Sequence, residues 1–292
     1  MNSGTRSPEV RRTVYYSPRR AARRRKLRRR RILVLTAAAA LCLWACTSLA
    51  GLIVSGLHAA EKLPAAAAPE SIADKPAPLE DNTLRIAVDA GHGGSDIGAQ
   101  GVVNESEMTE ATARALIELL EEDERFSVVL CRDWDVRSTP TERGQEAARQ
   151  GADLLLSIHG NSWEGSGQDV HGFECYPCVP GTAQYEESMR FAQLICNEIS
   201  AAGGTLRGNG GIRYIYFDEK DNRIIKEKGD EAATGMPTFS ILENAGCPAV
   251  LAEQCFVTSA ADVDLFGDED GVRLAAQCYY KAICAWADGL SA

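Results

Sequence analysis

Asp153-Leu154-Leu155-Leu156-Ser157-Ile158 is the stretch on which the fold turns. Successive side chains of an extended chain point to opposite faces, so this run is apolar on both sides. Such a strand belongs inside a sheet covered on both faces, the habit of parallel α/β sheets. Outward from it, Leu84–Asp89, Phe126–Cys131 and Ala249–Ala252 read as further strands, with Gly172–Tyr176 as another. Between them lie helical patterns. Met108, Ala111, Ala115, Leu116, Leu119 and Leu120 recur at helical spacing from about Glu105 to Glu122. Thr139-Pro140 opens a helix to about Gln150, with Pro at the first position and Glu142 in the first turn. Longer amphipathic helices follow over about 182–202 and 271–286, and Ser259 caps a short one. Tyr214 to Lys226 reads as a polar hairpin around Glu219–Asn222 or as a loop, and Phe239–Leu242 has no decided type. Strands alternating with helices predict an α/β fold, a three-layer sandwich with a mostly parallel mixed sheet and helices on both faces.

The rest of the chain sets where this domain works. Its 292 residues carry a net charge of -10, which hides an asymmetry. Residues 1–31 hold 13 Arg and Lys against the single acid Glu9, while 32–292 hold 18 basic and 40 acidic residues. An arginine-rich run can bind nucleic acid, but here it precedes 26 uncharged residues, Ile32 to Leu57. Roughly 20 helical residues cross a bilayer core, so 32–57 reads as one transmembrane helix and no nucleic-acid partner is expected. A cleaved signal peptide is the rival reading; its apolar region usually spans only ~7–15 residues, which favours an uncleaved signal anchor. The basic flank predicts a cytoplasmic N-terminus, so the C-terminal domain would lie outside a bacterial cell membrane. Residues 58–82 form a Pro/Ala-rich linker, and the globular domain runs over 83–292. Eight cysteines fall in that domain, mostly in apolar runs where a buried small hydrophobe is the default. Cys175-Tyr-Pro-Cys178 lacks a second pair at zinc-ribbon spacing and suggests a disulfide.

Chemistry concentrates at the strand ends. His92 sits in Asp89-Ala-Gly-His-Gly-Gly94, directly after the first strand; His159 follows the third strand, and Glu253 follows Ala249–Ala252. Ligands of open α/β sheets gather at the carboxyl ends of strands. His171 starts a strand and is the weakest candidate. Two His and a carboxylate suit a catalytic zinc, which lowers the pKa of bound water to ~7 and polarises a carbonyl. A second carboxylate must then move protons. Glu253 is favoured for one of these jobs by its place, while Glu105, Glu107, Glu164 and Glu174 all lie near the same loops.

Taken together, Asp89–Gly94, Glu105 opening a helix, Ser157-Ile-His159-Gly-Asn-Ser162 and Pro248-Ala-Val-Leu-Ala-Glu253-Gln-Cys-Phe256 resemble the zinc-dependent N-acetylmuramoyl-L-alanine amidases, the family 3 peptidoglycan amidases. The resemblance covers about Leu84 to Trp286. It implies one Zn2+ per domain held by His92, Glu105 and His159, with Glu253 as the catalytic carboxylate. Glu105 is taken over Glu107 because the family's glutamate stands a fixed distance before Ala113-Arg-Ala-Leu116. Asp89 would orient His92 or simply shape the turn, and Arg132 and Arg143 match recurrent family arginines with surface or structural ion pairs as their expected roles. The implied activity is hydrolysis of the bond between N-acetylmuramic acid and the L-alanine of the stem peptide, with peptidoglycan as substrate and room for a regulatory protein partner. A zinc carboxypeptidase or aminopeptidase, and an inactive wall-binding module, are the competing readings. A lack of obvious wall-binding repeats leans towards a specialised role such as spore-wall maturation. Cys255 stands where the family usually has Gly, and Gly160 where Ala is common. The charged segment 214–238 is longer than expected and reads as a surface insertion, or as a lid or regulatory element.

Overall fold

The computed structural model describes residues 83–165 and 170–290. The basic tail, the apolar span of 32–57 and the linker lie outside these residues. Among the described residues no helix is long and apolar enough to cross a membrane.

Among the described residues seven strands form in chain order: β1 (Leu84–Ala90), β2 (Phe126–Leu130), β3 (Leu154–Asn161), β4 (Glu174–Pro177), β5 (Arg213–Phe217), β6 (Arg223–Glu227) and β7 (Ala249–Phe256). Five of them make one sheet in the order β2-β1-β3-β7-β4. The first four in that order run parallel, and β4 alone pairs antiparallel, with β7. The apolar run of 154–158 is thus the central strand. Leu154, Leu156 and Ile158 face one layer of helices: α1 (Glu105–Glu121), α3 (Tyr185–Ala201) and α6 (Glu269–Asp288), which the short α5 (Ala260–Phe266) precedes, through Leu116, Ile195 and Ile283 among others. Leu155 faces the other layer, where Ala147 of α2 (Pro140–Arg149) and Ile241 and Leu242 of α4 (Ser240–Asn244) close the core. All four strand side chains are fully buried, each contributing about 2 kcal/mol relative to exposure. This is the expected three-layer sandwich with a mixed, mostly parallel sheet.

Two elements differ from the sequence reading in ways that matter for the site. β3 continues through His159 to Asn161, and β7 through Glu253 to Phe256, so both residues lie in paired strands and not in loops beyond them. The 239–242 segment of undecided type is the start of α4. Helix α2 begins as its sequence says, with a capping box: Thr139 Oγ1 accepts from Glu142 N at 3.2 Å, and Glu142 Oε2 accepts from Thr139 N at 2.7 Å. That start places Arg143 one turn in, under the ends of β1 and β3.

The suggested Cys175–Cys178 disulfide is absent, and the eight cysteines of the domain are free. Cys175 packs with the α1, α3 and α6 layer, whereas Cys178 packs with the α2 and α4 layer, so the sheet itself stands between them. Cys255 lies where the β3–β7 register shifts: His159 pairs with Glu253 and Asn161 with Phe256, so Gln254 and Cys255 stand against the single Gly160. Cys255 is buried in β7 with Sγ 3.4 Å from Met108 Sδ.

Candidate functional site

The turn after β1 is built to hold His92. His92 has a left-handed backbone (φ 61) and is followed by Gly93 at φ 103, a conformation that glycine tolerates best. Close approach also demands the glycines. A Cβ on Gly91 would lie 2.7 Å from His159 Nδ1, and one on Gly93 2.1 Å from the Arg132 guanidinium. The bare turn therefore lets the His159 ring and Arg132 press against it. Arg132 Nε and Arg143 Nη1 both donate to the carbonyl of Ala90, at 3.2 and 3.1 Å.

Glu105, at the first position of α1, is the meeting point. Its Oε1 lies 3.0 Å from His92 Nε2 and 2.9 Å from His159 Nδ1, and the three donor atoms fall within 4.8 Å of one another. Gly160 N donates to Oε1 at 3.0 Å and Ala99 N to Oε2 at 2.8 Å, so the backbone orients the carboxylate. Asp96 Oδ1 stands 3.0 Å from His92 Nδ1. Burial alone would raise the Glu105 pKa, but the hydrogen bonds from His159 and His92 outweigh it and hold the carboxyl well below the usual range. Burial lowers the His92 pKa, yet Glu105 and Asp96 outweigh that and leave it raised.

Glu253 lies beside this cluster. In the register of the sheet it pairs with His159 on β3 and with Glu174 on β4. Burial pushes its carboxyl up to about 8, and the negative charges of Glu105 and Glu174 add to the effect. Its Oε2 is buried and has no hydrogen-bond partner among the described residues. Glu174 differs completely. Its Oε1 accepts from Arg207 and from Arg213 Nη1 (2.7 Å), and its Oε2 from Tyr176 OH (2.6 Å) and Asn161 Nδ2 (3.2 Å). Glu174 is a satisfied structural anion, whereas Glu253 has an oxygen to spare.

His92, Glu105, His159 and Glu253 open into one cavity of about 620 Å³. Two imidazole nitrogens around one carboxylate oxygen, backed by amides and open on the cleft side, form a three-ligand set for a divalent cation with room for a fourth ligand. The neutral-to-acidic donor set and the orientation of Glu105 fit such an ion.

Other sequence candidates do not join. Glu107 lines a separate surface groove on α1, Glu164 is exposed, and His171 lies outside the cluster. Asp89 does not orient His92. It is buried against Arg143 Nη1 (3.1 Å) and Ser157 Oγ (2.7 Å), because its side chain points to the α2 face. Arg132 is buried and serves backbone carbonyls rather than a surface ion pair. The 214–238 segment is more than a surface insertion: Phe217, Asp218, Asp221, Arg223, Pro237 and Thr238 line the cavity. Asp96 was missed by sequence reasoning, although its position four residues after His92 in the same turn was a usable signal.

A family model described as N-acetylmuramoyl-L-alanine amidase matches residues 86–285. N-acetylmuramoyl-L-alanine amidase CwlM of Bacillus licheniformis is 31% identical over 183 residues, 62% of this chain and 60% of CwlM. The chain thus spans less than two thirds of that relative. The catalytic domain of CwlV, an N-acetylmuramoyl-L-alanine amidase from Bacillus (Paenibacillus) polymyxa var. colistinus, superposes with a TM-score of 0.55 at 27% identity, covering 70% of this chain and 99% of that domain. The CwlD amidase of Clostridioides difficile, solved in complex with the GerS lipoprotein, shares the fold (TM-score 0.52, 22% identity, 71% of this chain and 100% of that one).

Proposed function

The chain belongs to the N-acetylmuramoyl-L-alanine amidase family, and from that premise we propose that it hydrolyses the amide between N-acetylmuramic acid and the L-alanine of the peptidoglycan stem peptide. His92, Glu105 and His159 would hold Zn2+, and Glu253 would move the protons. The observation that carries this reading is the convergence of these four side chains, from three strands or strand ends and one helix start, in a single cleft.

When bound, Zn2+ supplies Lewis acidity, acidifying water and polarising the scissile carbonyl. The chain supplies the rest. Glu105 brings the negative charge that offsets the cation, and the Gly160 and Ala99 amides fix its orientation. The imidazoles bind as neutral donors, with Asp96 beside His92 Nδ1 to set its ring. Glu253, with a free buried oxygen in the cleft, accepts a proton from the attacking water and returns it to the departing alanine amine. Burial and the neighbouring carboxylates raise its pKa, and a cation held next to it would lower that pKa again and leave the carboxylate form to accept the proton.

The basic tail and the uncharged 32–57 stretch support a membrane-anchored enzyme with its domain outside the membrane. The complex of the related CwlD with GerS supports a protein partner here too. Digestion of purified peptidoglycan with mass analysis of the products tests the reaction. Intact stem peptides with a free L-alanine amino terminus are expected. Shortened stems still attached to muramic acid would mean a peptidase, and no release with zinc bound would mean a binding module.

A further inference from the structure

The domain is acidic while its proposed substrate bears carboxylates, so recognition needs a local cation, and the cleft presents one. Arg223 opens β6 and pairs with Phe217 across the β5–β6 hairpin. It lines the same cavity as His92, His159 and Glu253. Its backbone is held in that ladder, but among the described residues its guanidinium enters no side-chain hydrogen bond or ion pair. The other arginines nearby are engaged: Arg143 with Asp89, Arg207 with Glu174, Arg213 with Glu174 and Glu227.

The anions of the cleft do not explain it either. Asp218 is used inside the turn, accepting from the amides of Lys220 and Asn222, both at 2.8 Å. Glu243 accepts from Thr238 N at 2.8 Å. Asp221, at the exposed left-handed corner of the turn (φ 63), would repel an incoming carboxylate. That leaves Arg223 as the attractive group.

Its base is held firmly. Phe217 N donates to Pro237 O at 2.9 Å, Asp218 N to Asn222 O at 3.1 Å, and the Phe217 ring packs edge-on against Phe239 at 6.0 Å. The guanidinium therefore stands on a paired strand and not on a free loop. Its charge is also close enough to act on the Glu253 carboxyl.

We propose that Arg223 is a carboxylate subsite at the cleft rim, binding the free α-carboxylate of the glutamate that follows the scissile alanine in the stem peptide. In peptidoglycan that glutamate is linked onward through its side chain, so its α-carboxylate is free or amidated. A planar guanidinium accepts a carboxylate in a fork of two hydrogen bonds and gains much less from a carboxamide. The proposal rests on the amidase reading, and it makes the 214–238 segment a specificity element of the same site.

The test uses the zinc-loaded full chain in detergent and two muramoyl-tripeptides that differ only in amidation of this carboxylate. Wild type should favour the acid form in kcat/KM by roughly ten-fold, the size expected for one charged hydrogen-bonded contact at a partly solvated site. Arg223→Gln should lower kcat/KM for the acid form, mainly through KM, and bring the ratio of the two substrates to about one; Arg223→Lys should keep part of the preference. A wild-type enzyme that cleaves both substrates equally, or an Arg223→Gln variant that keeps the preference, overturns the subsite and leaves the amidase reading standing. A wild-type enzyme that releases the stem from neither substrate overturns the amidase reading and the subsite with it.

Discussion

Arg143→Met removes the guanidinium on which the end of β1 depends. Asp89 and Arg143 are 0% and 3% exposed and meet at 3.1 Å. In the variant the Asp89 carboxylate keeps only Ser157 Oγ as a side-chain donor. Leaving one partner of a buried pair uncompensated costs about 3–5 kcal/mol. The Ala90 carbonyl loses one of its two arginine donors and retains Arg132, so it adds little. For a domain of this size each kcal/mol moves the melting temperature by roughly 2–4 °C, which makes the expected drop about 10 °C. Urea and thermal unfolding in the presence of a chelator, so that metal binding does not add to stability, would measure it. The double variant Asp89→Asn/Arg143→Met should recover part of the loss, since it no longer buries a lone charge. A single variant within about 1 kcal/mol of wild type, or a double variant less stable than the single one, would refute the account of a buried pair that matters through its charge.

Glu253→Gln should retain zinc by metal analysis while losing at least ~100-fold in turnover, the usual scale for a general base; full activity would show that another group moves the proton. In the metal-free protein, stability should fall as pH rises from 5 to 8. The Glu253 carboxyl is raised from 4.5 to about 8 and His92 is also raised, so the folded state holds protons that the unfolded chain releases. Glu105 is shifted down and is ionised in both states over this window, so it does not reverse the slope; urea midpoints that climbed with pH would contradict the charge assignment. Gly160→Ala should destabilise by about 1 kcal/mol, because its Cβ would meet Val257 Cγ1 at 2.8 Å and Met108 Cε at 2.9 Å. Differential scanning calorimetry measures this, and a neutral result would mean that Met108 moves aside.

The sandwich was legible in the sequence because its signals are local. The double-sided apolar run at 154–158, the Pro140 helix start with Glu142 behind it, and the period of α1 each report on a few neighbouring residues, and the structure uses all of them. The same local signals placed His92, His159 and Glu253 near one edge of the sheet, although β3 and β7 run on through His159 and Glu253 beyond the point where their apolar runs stop. Glu105 could not be separated from Glu107 by periodicity and needed the family pattern. The structure gives the reason for the difference: the first residue of α1 turns its carboxylate back towards Ala99 and the two histidines, and Glu107 lies on the outer face.

What the sequence alone determined is therefore the order of the elements, the core strand and the residue types gathered at one sheet edge. Tertiary structure alone decided how the charges pair. Asp89 finds Arg143 across 54 positions, and β4 runs antiparallel, which brings Glu174 opposite Glu253, where it adds to the burial and the Glu105 charge that raise the latter's pKa. The β5–β6 hairpin, polar and locally unremarkable, brings Arg223 to the cleft. Hydrophobic periodicity carries no information on strand direction or on which distant charges will be brought together. Those depend on the packing of the whole sheet, and they distinguish a satisfied carboxylate such as Glu174 from Glu253, which keeps a buried oxygen without a partner.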